Sequence, residues 1–418
     1  MPVATNPTLF ETDDVRSRDR LHEAGSFRGV PSYVLDVPES IPQLGYGSHQ
    51  FFRYYGKFPS VVGGEIVKRH APDNAPVLDC YAGSGTTLVE AQSAGYPSYG
   101  LDINPLAVLA SRVKLSYPDP TELGTALGEV MSAARRFAMD PIDLPKSMSA
   151  AKLDKWFVPD AQRELAGLRD ALMQLPIGDT RSFLLISYLG IVRRVSTAYD
   201  GEVRPHVNPD KRLRSPIAAF LRKTTDMVDA LHEVEALRPS DVFGTCNLAD
   251  NRDPAQYSAL LSEAEPGLVV AHPPYLNSFN YLQVFSLEFA WAEGFDEVFE
   301  GIPMATLRAA EHRAWPATDE ALLAKYYEDF TTALGVASKV AASAARIAVV
   351  IGDATIRGRL EAVHLVMWEA LEALGLRPVE VWFRTTHYGI GKYAYSGRAD
   401  YHGDDAEKKD AILIFEKP

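Results

Sequence analysis

The chain has 418 residues, and its 42 lysines and arginines against 55 aspartates and glutamates give a formal net charge of −13. With 46% hydrophobic and 23% charged residues it has the composition of a globular protein, and its length allows two to four domains or one large domain with an insertion. No run approaches the roughly 18 apolar residues of a membrane span and the first residues lack a signal pattern. Two cysteines, Cys80 and Cys246, make neither a disulfide framework nor a four-cysteine zinc site, so a cytoplasmic protein is expected. The acidic balance argues against a protein that coats nucleic acid with its whole surface, and leaves a local contact open.

Residues 1–30 are polar, charged and aperiodic, which predicts a loose arm. The first clear strand is Ala75–Asp79. The Gly-rich turn AGSGTT follows it, then a helix over Thr86–Ala94 and a strand over Pro97–Leu101 that ends at Asp102. Strand, glycine turn, helix, strand and acid in about 30 residues is the opening of a doubly wound, mostly parallel α/β sheet. Segments such as DAQRELAGLRDALMQL and RSFLLISYLGIVRRV carry apolar residues at helical spacing, so 118–240 is expected to be a helical insertion. The cofactor-binding half then spans 31–117 and the catalytic half 241–418. Strands are predicted at Gly267–Ala271, Arg346–Gly352, Arg377–Phe383 and Ala411–Phe415, a helix at Leu360–Leu374, and a mobile loop over Tyr393–Lys409.

The glycine turn, Asp79-Cys80-Tyr81-Ala82-Gly83-Ser84-Gly85-Thr86-Thr87, lacks the lysine of a P-loop and the third spaced glycine of a dinucleotide fingerprint. An acid at its first position repels pyrophosphate. It suits a ligand with a cationic amine and a ribose, such as S-adenosylmethionine: Gly83 and Gly85 let the backbone approach, Asp79 orients the amine, and Asp102 accepts from the ribose hydroxyls. At the other strand end, His272-Pro273-Pro274-Tyr275 stops the chain abruptly, because two prolines remove two donors and fix two φ angles. Transfer to an exocyclic amine needs acceptors that grip its N–H bonds. The Pro273 carbonyl and His272 are the candidates, with Tyr275 stacking on the acceptor ring.

These residues resemble a known family, the S-adenosylmethionine-dependent amino methyltransferases that act on adenine N6 or cytosine N4 of DNA. DCYAGSGTT is similar to their D-P-F-x-G-S-G-T-T loop, GLDINPLA to the ribose-binding segment, and HPPYLNSFNYL to the [DNST]-P-P-Y catalytic segment. HQFFRYYGKFP resembles the segment that closes over the methionine end of the cofactor, and AVVIGDATIRG and DAILIFEK the late strands. The resemblance implies a Rossmann-like methyltransferase fold and S-adenosylmethionine contacts from Tyr55, Lys57, Phe58, Tyr81, Ser84, Thr86, Thr87, Ile103 and Asn104, besides Asp79, Gly83, Gly85 and Asp102. It also implies substrate contacts from Asn277 and Tyr281, and a place in restriction–modification. His272 departs from the pattern. A neutral histidine accepts one hydrogen bond from an amine and is able to take the proton lost after transfer, but the usual base preference does not carry over.

Residues 193–223 hold Arg193, Arg194, Arg204, Lys211, Arg212, Arg214, Arg222 and Lys223 against Asp200, Glu202 and Asp210, a net +5 in a −18 remainder. Phosphate contacts are expected here, from Arg193 and Arg194 among others, and from Lys392 in the GIGKYAYSGR segment. No His or Cys spacing suggests a metal. RNA or a small nucleobase-like amine is the alternative acceptor, and a non-catalytic protein that keeps the cofactor fold is the alternative of another class.

Overall fold

The computed structural model describes residues 18–39, 42–237, 239, 242–276, 280–310, 319–356, 359–384 and 410–418. Eleven strands run in chain order: β1 Leu21–Phe27, β2 Val30–Leu35, β3 Val77–Asp79, β4 Ser98–Asp102, β5 Gly244–Leu248, β6 Leu268–Ala271, β7 Arg346–Gly352, β8 Ala354–Ile356, β9 Arg359–Glu361, β10 Arg377–Arg384 and β11 Asp410–Glu416. All but β8 and β9 form one sheet in the order β1-β2-β10-β11-β7-β6-β3-β4-β5. From β3 the chain winds outward twice, through β4 and β5 on one side and through β6 and β7 on the other, and these neighbours are parallel. β11 is antiparallel to both β7 and β10. The architecture is therefore a doubly wound, mostly parallel, Rossmann-like α/β fold.

The central strands are apolar on both faces because both are covered. Val77, Leu268, Val270, Ala348, Val350, Ile412 and Ile414 meet Val61, Ile66, Val67 and Ala91 of the helices Ser60–His70 and Thr86–Ser93. Their alternates Leu78, Val269, Ile347, Val349, Leu413 and Phe415 lie in a second core with Phe330 and Leu334 of the helix Asp319–Val340 and Trp368 of the helix Val363–Ala373.

Five helices, Pro120–Phe137, Ala150–Trp156, Pro159–Met173, Asp179–Val195 and Pro216–Leu237, occupy the stretch between β4 and β5 after the helix Pro105–Leu115. Their apolar faces form a separate core that also takes in Phe51, Phe52, Tyr54 and Tyr55 before β3, and Val284, Phe285 and Trp291 after β6. The insertion is thus seamed to the segments that flank the strand ends.

Two expectations need correction. The polar arm does not extend to residue 30, since β1 and β2 form a hairpin whose second strand pairs parallel with β10. β1 is an edge strand with its interior residues exposed, which is why its composition reads as loop. Arg20, held bidentately by Glu39 at 2.8 Å and fully buried with it, pins the hairpin's start. The helix expected from Leu360 begins at Val363, because Arg359–Glu361 pairs with Ala354–Ile356. The Tyr393–Lys409 segment lies outside the described residues. No helix among the described residues is long and apolar enough to cross a membrane.

Candidate active site

In a doubly wound sheet the crevice opens where the winding reverses, beyond the carboxyl ends of the strands on either side. Here that point is the end of β3, between β4 and β6, and a cleft lies there. Asp79 ends β3, Asp102 ends β4 and His272 follows β6, so three residues far apart in sequence line up along one edge.

The glycine turn leaves β3 through Asp79, whose Oδ1 accepts from the Tyr81 N–H at 3.0 Å. Gly85 adopts φ +79°, and a Cβ there would stand 2.9 Å from Ser111 Oγ, so both backbone and space require glycine. The turn is fixed from beneath: Ser111 Oγ donates to the Gly83 carbonyl at 2.8 Å and the buried Lys114 ammonium to that of Ser84 at 2.6 Å. Asp102 accepts from the Gly83 N–H and the Asn104 N–H, each at 2.8 Å. Asn104 caps the next helix through Leu106 and donates to the Tyr54 hydroxyl at 3.2 Å.

The electrostatics of this edge are unbalanced. Burial raises the Asp79 carboxyl to about 7, with nearby Asp102 adding to the shift, and burial raises Asp102 to about 6. No cation among the described residues acts on either carboxyl strongly enough to offset burial. Two carboxyls held short of full ionisation in this way are a place where a cationic ligand gains and a phosphate loses. S-adenosylmethionine, with an ammonium, a sulfonium and a ribose diol, fits that donor set. Lys57, on the same cleft, donates to the His49 carbonyl at 3.0 Å, and burial lowers its ammonium to about 8.

His272 lies edge-on between two rings, Phe58 at 4.9 Å and Tyr275 at 5.3 Å between centroids. Burial, aided by the Arg384 charge, lowers its imidazole to about 3. The ring is therefore neutral at physiological pH and able to accept from an amine. It is also a weak base in the free protein, which bears on the expectation that it takes up the proton lost in transfer.

Of the sequence-derived residues, Lys57, Phe58, Tyr81, Gly83, Ser84, Thr86, Asp102, Ile103, Asn104, His272, Pro274, Tyr275 and Tyr281 line the cleft. Asp79, Gly85 and Thr87 do not line it and are buried within the turn. Pro273 is buried and does not line the cleft. Tyr55 does not face it either. Its hydroxyl donates to the Glu202 carbonyl in the insertion, and the adjacent Tyr54 supplies the cleft wall, stacked on Tyr281 at 5.4 Å and Phe285 at 5.3 Å.

Arg193 is a clear correction. It is buried, donates to the carbonyls of Val203 (2.8 Å), Glu202 (3.0 Å) and Val284, and lies 3.5 Å from Glu288, so it is not offered to phosphate. Lys211 and Lys223 likewise turn inward, to the carbonyls of Ala198 at 2.6 Å and Gln50 at 3.0 Å. Arg194, Arg212, Arg214 and Arg222 remain exposed. Asn277 and Lys392 lie outside the described residues.

Sequence reasoning missed the Asp250-Asn251-Arg252 turn after β5, which lines the cleft. Asn251 donates to the Cys80 carbonyl at 2.6 Å, and Arg252 bridges Asp250 and Asp329. The third strand of a doubly wound unit also ends at the crevice, and that rule pointed to this turn. It missed Arg384 and Asp410 as well, an ion pair behind Tyr275. Among the described residues no cluster of His, Cys, Asp and Glu is arranged to hold a metal.

No family model matches the chain. It is similar to the Type II methyltransferase M.MvaI of Kocuria varians, 24% identical over 144 residues, which is 34% of this chain and 32% of that protein. It is similar too to the Type II methyltransferase M.MjaII of Methanocaldococcus jannaschii, 33% identical over 90 residues, 22% of this chain and 17% of that protein. The matches thus span a third or less of these relatives. Two solved structures of the rRNA methyltransferase aviRa from Streptomyces viridochromogenes overlap more of the chain. One covers 87% of this chain and 88% of its own with a TM-score of 0.35 at 12% identity, the other 89% and 91% with 0.34 at 14%.

Proposed function

We propose that the protein is an S-adenosylmethionine-dependent methyltransferase acting on an exocyclic amine of a DNA base, adenine N6 or cytosine N4. The observation that carries this reading is a cleft at the winding reversal lined by the burial-raised Asp102 carboxyl, by Lys57 and by a neutral acceptor, His272, with a second raised carboxyl, Asp79, buried at the start of its glycine turn. The names of the two curated relatives support the reaction class. When bound, S-adenosylmethionine supplies an electrophilic methyl group.

The chain's own part is holding and orienting. Asp79 would take the ligand ammonium, and Lys57, opposite it in charge, the ligand carboxylate. Asp102 would exchange its backbone donors for ribose hydroxyls. His272 would accept one N–H of the target amine, drawing its lone pair out of conjugation, while Tyr275 holds the ring. The cofactor would supply the methyl as its sulfur–methyl bond breaks and sulfur keeps the pair as a neutral thioether, so no enzyme side chain would become covalently attached. With His272 so weakly basic, the proton would leave to solvent.

Inward-turned Arg193, Lys211 and Lys223 thin the basic surface, which keeps a small nucleobase-like amine as the second reading, with RNA, as anionic as DNA, a further acceptor to test. Tritiated methyl incorporation into DNA, RNA and free nucleosides decides between them. Label in DNA, as methyladenine or methylcytosine, is the expected result, and label confined to RNA or nucleosides would transfer the assignment.

A further inference from the structure

We propose that Arg384, braced by Asp410, is a positioning residue that fixes the Tyr275 ring against the end of β7 and so sets the wall on which the acceptor ring lies. The inference rests on the methyl-transfer reading for its purpose, but its geometry is independent of it. Asp410 opens β11 and pairs across the ladder with Arg384 on β10 and with Gly352 on β7, so three strand ends stand at one level. Directly opposed residues share a face of the sheet. Arg384 therefore lies beside Asp410, 2.7 Å from its Oδ2 with both side chains 9% exposed.

The third position, Gly352, carries no side chain. A Cβ there would stand 2.7 Å from Asp410 Oδ1 and 2.8 Å from Tyr275 Cδ2, so the tyrosine ring occupies the space that a side chain on Gly352 would take. The Tyr275 ring and the Asp410 carboxylate thus converge on one point over Gly352, and the Arg384 guanidinium that pairs with Asp410 acts electrostatically on Tyr275. A planar guanidinium holds two partners in a fixed fork, which a lysine does not reproduce.

A buried ion pair is weak evidence for stability. Here the pair reaches from the last two strands of the sheet to the ring that packs on His272, and that connection gives it a purpose. If Tyr275 shifts, His272 is left with only one of the two rings between which it sits.

Fluorotyrosine incorporated throughout the protein gives a fluorine NMR line for Tyr275, identified by its absence in Tyr275→Phe. In the free wild-type protein a single line is expected. Replacing both charges together, Arg384→Met with Asp410→Leu, leaves no unpaired buried charge and should move or broaden that line, as should Gly352→Ala. Arg384→Lys should keep part of the wild-type position. In methyl transfer the double variant should lose at least tenfold in kcat while its Kd for S-adenosylmethionine changes less than twofold. A Tyr275 line unmoved in both the double variant and Gly352→Ala overturns the inference. Because the line is read without cofactor or substrate, absence of methyl transfer in the wild type would count against the functional reading and leave this test standing.

Discussion

Both the strand-end cleft and the helical insertion bury charge, and they treat it in opposite ways. In the insertion Arg193 has several acceptors about it: two carbonyls of the loop after its helix, the Val284 carbonyl, the Tyr55 hydroxyl and, at 3.5 Å, the Glu288 carboxyl. Beneath the cleft Asp79 has burial set against the Thr87 hydroxyl and a backbone N–H, and burial prevails. A charge whose partners are all within the chain ties segments together. Asp79, which burial holds partly protonated, has no cation among the described residues that offsets burial, and such groups mark ligand sites more often than chance.

The largest effect should come from breaking the charge that is paired within the chain. Arg193→Met leaves Glu288, itself buried, without its cation, and removing one partner of a buried pair costs about 3–5 kcal/mol. Urea denaturation should register that loss. An Arg193→Met protein of wild-type stability but weakened DNA binding would return the residue to the phosphate-contacting role and undo the contrast.

Asp79→Asn should do the reverse. Cofactor affinity should fall about 100-fold by calorimetry, roughly the 2.7 kcal/mol that one hydrogen bond between charged groups supplies, while the free protein becomes more stable at pH 8 by about 1–3 kcal/mol. The sign follows from linkage. A carboxyl raised to about 7 in the folded state binds its proton more tightly there than in the unfolded chain. Free-protein stability therefore declines as pH rises from the ordinary carboxyl range near 4 through about 7, and neutralising the side chain removes that decline. Loss of binding together with loss of stability would place Asp79 among the structural charges.

The same carboxyl gives a pH signature. A cationic ligand favours ionised Asp79, so binding should release a proton below pH 7, and affinity should weaken as pH falls through about 7, by at most about tenfold per pH unit. Asp102, at about 6, steepens the fall further down. His272 contributes nothing in this range, because it protonates only near 3. Calorimetry in buffers of different ionisation enthalpy measures the released proton directly. No proton release at about pH 6.5, just below the Asp79 value, would mean that Asp79 is already ionised without ligand.

Much of this cleft was legible in the sequence because its acids, glycines and prolines sit where strands end, and each breaks a local rule. A strand closing on Asp79 and another stopping at Pro273-Pro274 do not suit a merely packed sheet. What was illegible depended on facing or on register. Tyr54 and Tyr55 are neighbours of the same type, and only the fold turns one to the cleft and the other to the insertion. Arg193 and Arg194 differ by about 100° around a helix, enough to bury one and expose the other. Arg384 and Asp410 meet only through the pairing of β10 with β11. The Asp250 turn escaped because β5, GTCNL, has one fully buried residue in five and lacks the apolar run of the central strands.

The smallest effects should belong to the exposed arginines, and they test the contrast from the other side. If the insertion contacts phosphate, it does so through Arg194, Arg212, Arg214 and Arg222, which stand in solvent. Each replaced by alanine should weaken DNA binding only a few-fold at moderate salt and lower the slope of log affinity against log salt by about 1. Lys211→Met and Lys223→Met should leave that slope unchanged, since their ammonium groups are engaged by carbonyls within the chain. Fluorescence anisotropy with a labelled duplex across a salt series reads both quantities. Were Lys211→Met to lower the slope as much as Arg212→Ala does, inward-facing cations would be reaching phosphate after all. The line drawn between inward-facing and exposed charge in the insertion would then have to move.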